Sequence, residues 1–152
     1  MSKNYGKYSK CFERSVRHIF NNFLKDQSIA NVVENQATED DLTVWIEVEG
    51  SFRGEVILRI PEKTLTKITV KLNPTLKGAA LKKMCFDVLG EIANMITGTY
   101  ANQLQYLEHE IFLSPPEFET DPISLKTFYE NVSFSFVTDF GGFDAEVYFK
   151  DE

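Results

Sequence analysis

Hydrophobic residues recur with two different periods along this chain, and the two periods predict where helices and strands lie. In three segments the apolar residues return every three or four positions, as they do on a helix with one buried face. These predicted helices cover residues 8–25, a segment of two or three turns between Pro61 and Asn73, and a long segment from Leu76 or Gly78 to about Leu104.

Strict alternation of apolar and polar residues elsewhere predicts two β-hairpins. The first hairpin has predicted strands at 42–49 and 55–60 with a loop over 50–54, and the second has strands at 131–137 and 145–149 with a turn at 141–142. A short extended segment, 110–113, ends in a Ser-Pro-Pro sequence that suits a loop or a sheet edge. Because strands and helices come in separate runs, we expect an α+β fold, an antiparallel sheet built from the two hairpins with long helices packed on it.

The composition favours one globular domain over residues 1–152, with residues 1–7 expected to be disordered. The formal net charge of −7 argues against a nucleic-acid partner, because binding a phosphate backbone requires clustered lysine and arginine. The apolar runs are too short for a signal peptide or a membrane span, so we expect a cytoplasmic protein that does not bind a membrane. Cys11 and Cys85 lack partners at motif spacing and are expected to be free thiols.

Candidate chemistry is concentrated on the long predicted helix, where Asp87, Glu91 and Asn94 fall within a sector of roughly 60°. We call these three residues the acid–amide ridge. Apolar residues such as Leu89 and Ile92 project to the opposite side and are expected to face the core. A helix face that serves only solubility more often carries pairs of lysine and glutamate, so the ridge suggests a surface that another molecule contacts.

Two glycines in this helix, Gly90 and Gly98, support a contact surface. Each costs roughly 1 kcal/mol relative to alanine on an exposed helix face, and glycines kept at that cost usually permit close approach of a backbone or a partner. We therefore assign Asp87, Gly90 and Gly98 to partner binding. From the residues alone, an ordinary solvated helix face stays open as the alternative, and Asp87 could equally support the helix.

The pattern of Asp87, three residues, Glu91, two residues, Asn94 and a later proline resembles the signature of the CheX/CheC/FliY phosphatases of bacterial chemotaxis. The small and apolar residues around the ridge and the flanking hairpins also resemble that family, from about Thr43 onward. The prolines here, Pro115 and Pro116, come one or two positions earlier than the family spacing. The resemblance implies a CheC-like fold.

The resemblance also implies an activity and a partner. Members of the family remove the phosphoryl group from the aspartyl phosphate of the response regulator CheY. By this resemblance Glu91 would dock against a lysine of the regulator, and Asn94 would orient the attacking water. The regulator would supply the Mg²⁺, so no cofactor or metal of this chain's own is expected, in keeping with the isolated positions of His18 and His109.

A second copy of the motif is incomplete on the first predicted helix. Ser9 and Glu13 have the motif spacing, but Val16 stands where the amide is needed. The chain is thus expected to have one competent site, which favours the CheX-like branch over the two-site CheC type. The CheX-like resemblance also implies a homodimer.

Two other functions remain open from the sequence. The first is a non-catalytic module of the same fold that binds a receiver domain or a component of the flagellar switch. The second is a sensor domain whose groove binds a small molecule. The presence of both Glu91 and Asn94 favours the enzyme, since a surface used only for docking has no need of the amide.

Overall fold

A computed structural model describes residues 5–37, 41–50, 52–106, 110–118 and 130–151. Within these ranges the chain forms three helices and six strands. In chain order the elements are α1 (Tyr5–Asn22), β1 (Ala30–Val32), β2 (Asp41–Gly50), β3 (Phe52–Pro61), α2 (Glu62–Leu72), α3 (Gly78–Gln105), β4 (Ile111–Leu113), β5 (Glu130–Thr138) and β6 (Gly141–Asp151).

The strands form an antiparallel sheet in the order β1-β5-β6-β3-β2-β4. Its two hairpins, β2–β3 and β5–β6, are those that the alternating pattern predicts, and β3 joins them by pairing with β6. The predicted α+β class with an antiparallel sheet is therefore confirmed.

The hydrophobic core lies between one face of this sheet and the helices. Side chains alternate across a strand, so Val44, Ile46 and Val48 of β2 share the inner face, and each is at most 1% exposed. Phe20 of α1 stacks on Phe143 of β6 with ring centroids 4.9 Å apart. These contacts fix α1 and α3 against the sheet and leave the outer side of α3 free to carry polar residues.

The start of α1 is ordered by tertiary contacts. The Tyr5 hydroxyl donates a hydrogen bond of 2.9 Å to the backbone oxygen of Asn131, and its ring packs 5.6 Å from that of Phe149. The expectation of disorder over residues 1–7 is thus wrong for residues 5–7, which form the first turn of α1. Residues 1–4 lie outside the described ranges.

Several predicted boundaries change because strands pair over longer distances than the local pattern shows. The loop predicted over 50–54 is mostly strand, since Gly50 pairs with Ile111 and Phe52 pairs with Asp151. The edge strand β1 was not predicted, because three residues are too few to show a period. None of the described helices combines the length and the apolar character that a membrane span requires.

The end of α1 is closed by a left-handed residue and a buried aspartate. Lys25 has a φ of 56°, in the left-handed region, and the Asp26 amide donates a hydrogen bond of 2.9 Å to the backbone oxygen of Phe20. The Asp26 carboxylate, 1% exposed, accepts hydrogen bonds of 2.7 Å from the Ser28 amide and hydroxyl and of 3.0 Å from the Asp139 amide. It therefore ties α1 to the turn between β5 and β6.

Replacing Asp26 with asparagine is expected to lower the free energy of unfolding by about 1–3 kcal/mol at neutral pH, since a buried charged acceptor is lost. Burial acts to raise the pKa of Asp26, but the hydrogen bonds and the nearby charge of Lys71 outweigh it, so the pKa lies below the ordinary value of 3.8. The stabilisation is complete above the unfolded-state pKa and is lost as the pH falls through the folded-state pKa.

Urea denaturation followed by circular dichroism, from neutral pH to about pH 2, measures this contribution. The native protein should lose more stability below about pH 4 than Asp26→Asn does. Glu34→Gln, which neutralises an exposed carboxylate, serves as the control. If the free energy of unfolding falls in parallel for the native and Asp26→Asn proteins as the pH is lowered, Asp26 does not contribute to the pH dependence.

Candidate functional site

The long helix α3 divides into a buried face and an exposed face, as its sequence predicts. Leu89, Ile92 and Ile96 are at most 1% exposed and belong to the core. All three members of the acid–amide ridge, Asp87, Glu91 and Asn94, are exposed. Glu91 and Asn94 are three residues apart, which corresponds to a rise of about 4.5 Å along the axis.

The ridge has polar groups that are free to meet another molecule. Within the described ranges, Asp87, Glu91 and Asn94 take part in neither an ion pair nor a hydrogen bond through their side chains. Two carboxylates one turn apart make this surface attractive to a cation. The neutral carboxamide beside them both donates and accepts hydrogen bonds, so it can bind a water molecule without repelling an anion.

The two glycines of α3 have different surroundings. A Cβ added at Gly98 would meet no described neighbouring group within 4 Å, so the space above this half-buried glycine is open. A Cβ at Gly90 would stand 3.2 Å from Cζ of Phe118 and 3.9 Å from Cγ of Pro116. The groups that approach Gly90 closely are therefore Pro116 and Phe118 of the same chain. Any effect of Gly90 on a partner would act through the Phe118 ring.

The segment that covers Gly90 is attached to strand β2, on the side of β2 where β4 also pairs. Trp45 and Glu117 exchange two backbone hydrogen bonds of 2.9 Å, and the Ser114 hydroxyl accepts one of 2.8 Å from the Glu47 amide. Burial, followed by the carboxylates of Glu49 and Glu117, raises the pKa of Glu47. This attachment explains how Pro116 reaches the helix although it comes earlier in the chain than the family spacing.

Two phenylalanines beside the ridge were not singled out from the sequence. The rings of Phe86 and Phe118 meet edge to face with centroids 6.0 Å apart, and they are 43% and 44% exposed. We call this pair the aromatic wall. Phe86 adjoins Asp87 in sequence, but nothing in the spacing indicates that Phe118 folds back onto the helix.

Two cavities lie near the helices. A cleft of about 330 Å³ opens beside the aromatic wall and is lined by Phe86 together with Leu42, Leu81 and Cys85. A larger cavity of about 890 Å³ lies at the start of α2, and no residue of the ridge or the aromatic wall lines it. The smaller cleft is therefore the one that adjoins the candidate site.

The motif-like residues of α1 are arranged differently. Val16 is fully buried in the core, and the Glu13 carboxylate accepts a hydrogen bond of 2.6 Å from Nδ2 of Asn31. The Ser9 hydroxyl donates 2.8 Å to the backbone oxygen of Tyr5. These groups are occupied by contacts within the fold, so α1 presents no second acid–amide ridge.

Metal-binding side chains do not gather in the part of the chain that the structure describes. No group of three histidine, cysteine, aspartate or glutamate residues has the arrangement to hold an ion there. Cys11 and Cys85 are free thiols, as expected. His109 lies outside the described residues.

Comparison with known proteins finds a family model that matches this sequence and solved structures that share its fold. A family model described as chemotaxis phosphatase CheX matches residues 42–123, which is more than half of the chain. The match includes the ridge, the aromatic wall and the first hairpin. A comparison with curated proteins finds no match.

Solved structures share the fold over nearly the whole chain. The CheX–CheY–BeF3–Mg²⁺ complex from Borrelia burgdorferi has a TM-score of 0.79 at 20% identity, covering 94% of this chain and 97% of that one. CheX from Vibrio vulnificus has a TM-score of 0.78 at 18% identity, with 94% and 96% covered. A CheC-like superfamily protein from Shewanella sp. PV-4 has a TM-score of 0.75 at 18% identity, with 99% of each chain covered. At these identities the likeness shows the fold, and it confirms the expected CheC-like architecture.

Proposed function

Because this chain belongs to the chemotaxis phosphatase CheX family, we propose that it hydrolyses the aspartyl phosphate of a CheY-type receiver domain. The observation that supports this proposal most directly is the exposed acid–amide ridge, whose three polar side chains are unpaired among the described residues. The Borrelia burgdorferi complex of CheX with CheY supports the choice of partner.

Asn94 is the proposed catalytic residue. Hydrolysis of an acyl phosphate needs a positioned water more than a protein nucleophile, because phosphoryl transfer depends mainly on alignment and charge stabilisation. The Asn94 carboxamide accepts a hydrogen bond from that water and adds no negative charge near the phosphoryl oxygens. The water oxygen bonds to phosphorus, the bond from phosphorus to the aspartyl oxygen breaks, and the products are the free carboxylate and inorganic phosphate.

Glu91 is the proposed docking residue. Its exposed carboxylate would pair with a lysine of the receiver, and a pair one helical turn from Asn94 would fix where the amide stands relative to the phosphoryl group. Asp87, one turn in the other direction, adds negative charge that favours the same cationic surface. The Mg²⁺ required for the chemistry is assigned to the receiver, and this chain is proposed to bind no cofactor of its own.

We also propose, on the family resemblance, that the protein works in the cytoplasm as a homodimer. Size-exclusion chromatography with light scattering measures the oligomeric state. A mass that stays at 17.4 kDa over the concentrations at which the protein is active would contradict the homodimer.

The deciding experiment is a phosphatase assay with a panel of phosphorylated CheY-type receivers. Release of inorganic phosphate should be faster with the native protein than by autodephosphorylation of at least one receiver. Binding without any acceleration would instead assign the non-catalytic docking function. Neither binding nor acceleration across the panel would reject a receiver as the partner.

Gly98 offers a test that separates stability from docking. Gly98→Ala should raise the free energy of unfolding by about 0.5–1 kcal/mol, because alanine is favoured inside a helix and its methyl group meets no described neighbour. If the receiver approaches this glycine closely, the same methyl group should raise KM by roughly fivefold or more.

Gly6→Ala is the matched control for this variant. Gly6 also lies in a helix, and a Cβ there would likewise meet none of the described neighbouring groups within 4 Å. It should gain stability without a change in KM. An unchanged KM for Gly98→Ala, measured on the same receiver, would remove Gly98 from the docking surface.

A further inference from the structure

The aromatic wall differs from most of the described phenylalanines because both of its rings are partly exposed to solvent. Of the described phenylalanines, only a few are substantially exposed, and two of these, Phe86 and Phe118, lie in contact with one another. Adjacent exposed aromatic rings with polar residues around them are typical of an interaction site. The wall is therefore a candidate for the part of the surface that loses water when a partner binds.

The aromatic wall is continuous with the acid–amide ridge. The Phe118 ring lies over Gly90, which is on the flank of α3 between the ridge and Phe86. A molecule that seats on Glu91 and Asn94 must therefore cover the edge of Phe118 as well. The two surfaces form one face rather than two separate sites.

The cleft beside the wall has the dimensions and lining for an apolar side chain. Its volume is about 330 Å³, and Leu42, Leu81 and Phe86 provide apolar surface, while Glu62 and Lys82 are among the polar residues of the lining. Pockets that accept an anchoring side chain at the centre of an interface contribute a large share of binding energy.

The charges next to the wall define what else the partner must carry. Asp87 and Glu91 are exposed carboxylates without a cationic partner among the described residues. Their burial beneath a purely apolar partner would be costly, because each would lose its water without gaining an opposite charge. The complementary surface thus joins a cation to an apolar side chain.

We propose that the aromatic wall and its cleft hold an apolar side chain of the receiver domain, next to the lysine that pairs with Glu91. This inference rests on the proposed function and names a second contact of the same docking face. Phe86 and Glu91 are five residues apart, so the apolar side chain and the lysine would be separated by about 7.5 Å or more along α3. The wall fixes the receiver's orientation, so it acts on binding and leaves the chemistry to Asn94.

The test uses the full-length protein with a phosphorylated CheY-type receiver. Phe86→Ser and Phe118→Ser should each raise KM by about tenfold and leave kcat near the native value. Phe86→Leu and Phe118→Leu should restore most of the affinity, because they keep an apolar side chain. The loss should be similar at low and high salt, whereas the effect of Glu91→Ala should shrink as salt screens the ion pair.

Phe23→Ser is the matched control. Phe23 is 41% exposed and lies just beyond the C-terminal end of α1, in a segment that carries no residue of the ridge or the aromatic wall. Its variant should keep the native KM. Thermal unfolding of each serine variant shows whether the change has disturbed the fold, and the leucine variants provide a second measurement at the same positions.

Failure of this inference differs from failure of the proposed function. Turnover with an unchanged KM in both serine variants would reject the wall and leave the phosphatase intact. If the native protein binds a receiver carrying BeF3 and Mg²⁺ without hydrolysing its phosphorylated form, weaker binding by the serine variants would still support the wall. Loss of self-association with unchanged receiver binding would assign the wall to a second copy and overturn the proposal.

Discussion

Asn94→Ala is expected to lower kcat by about 100-fold or more, to near the rate at which the receiver loses its phosphoryl group unaided. The variant removes the carboxamide that would hold the attacking water and leaves a methyl group in its place. Asn94 is exposed on α3, so the free energy of unfolding should change by no more than about 0.5 kcal/mol. Phosphate release at saturating receiver measures the first effect, and thermal unfolding followed by circular dichroism measures the second.

Two companion variants make the interpretation of Asn94 specific. Asn94→Asp keeps the size of the side chain but adds a negative charge facing the phosphoryl group, so it should also be nearly inactive. Asn102→Ala removes an exposed asparagine from the same helix, about 12 Å further along, and should keep native turnover. Native kcat in Asn94→Ala would mean that the water is held elsewhere, and an unfolded variant would mean that Asn94 supports the fold.

Glu91→Ala is expected to weaken the complex rather than the chemistry. Removing one partner of an ion pair at an interface should raise KM by about 10- to 100-fold. At saturating receiver, kcat should remain within a few-fold of native, because a contact made equally in the ground state and the transition state changes KM alone. Initial rates over a range of receiver concentrations separate the two parameters.

Reversing the charge of Glu91 is a stronger test of the proposed ion pair. Glu91→Lys places a cation against the receiver's lysine and should weaken binding further than Glu91→Ala. Glu34→Ala, which removes an exposed carboxylate distant in the chain from the ridge, controls for the change in net charge. A fall in kcat without a rise in KM in Glu91→Ala would place Glu91 in the catalytic step instead.

The orientation of α3 could be predicted because it depends on local geometry. Every residue turns the helix by about 100°, so the positions of Leu89, Ile92 and Ile96 determine that Glu91 and Asn94 face outward. The hairpin of β5 and β6 was predicted for the same reason, since a period of two over several residues identifies a strand with one buried face.

The parts that could not be predicted depend on contacts between distant residues. The three-residue strand β1 exists because it pairs at one edge of the sheet, and no local period reveals it, whereas β4 lies within the extended segment predicted over 110–113. Residues 5–7 are helical because Tyr5 is held by β5 and β6. On α1, the spacing of Ser9 and Glu13 matches the motif, but only the fold reveals that Glu13 is occupied by Asn31.

The members of the acid–amide ridge and the family that they resemble could be identified from the amino-acid sequence, because helical spacing and a motif are local properties of the chain. The residues that border the ridge depend on the tertiary fold. Backbone pairing of Glu117 with Trp45 brings Phe118 over Gly90, and Phe118 meets Phe86 to form the aromatic wall. The open space at Gly98 and the filled space at Gly90 differ for the same reason: a glycine's neighbours come from segments far along the chain, which packing brings together.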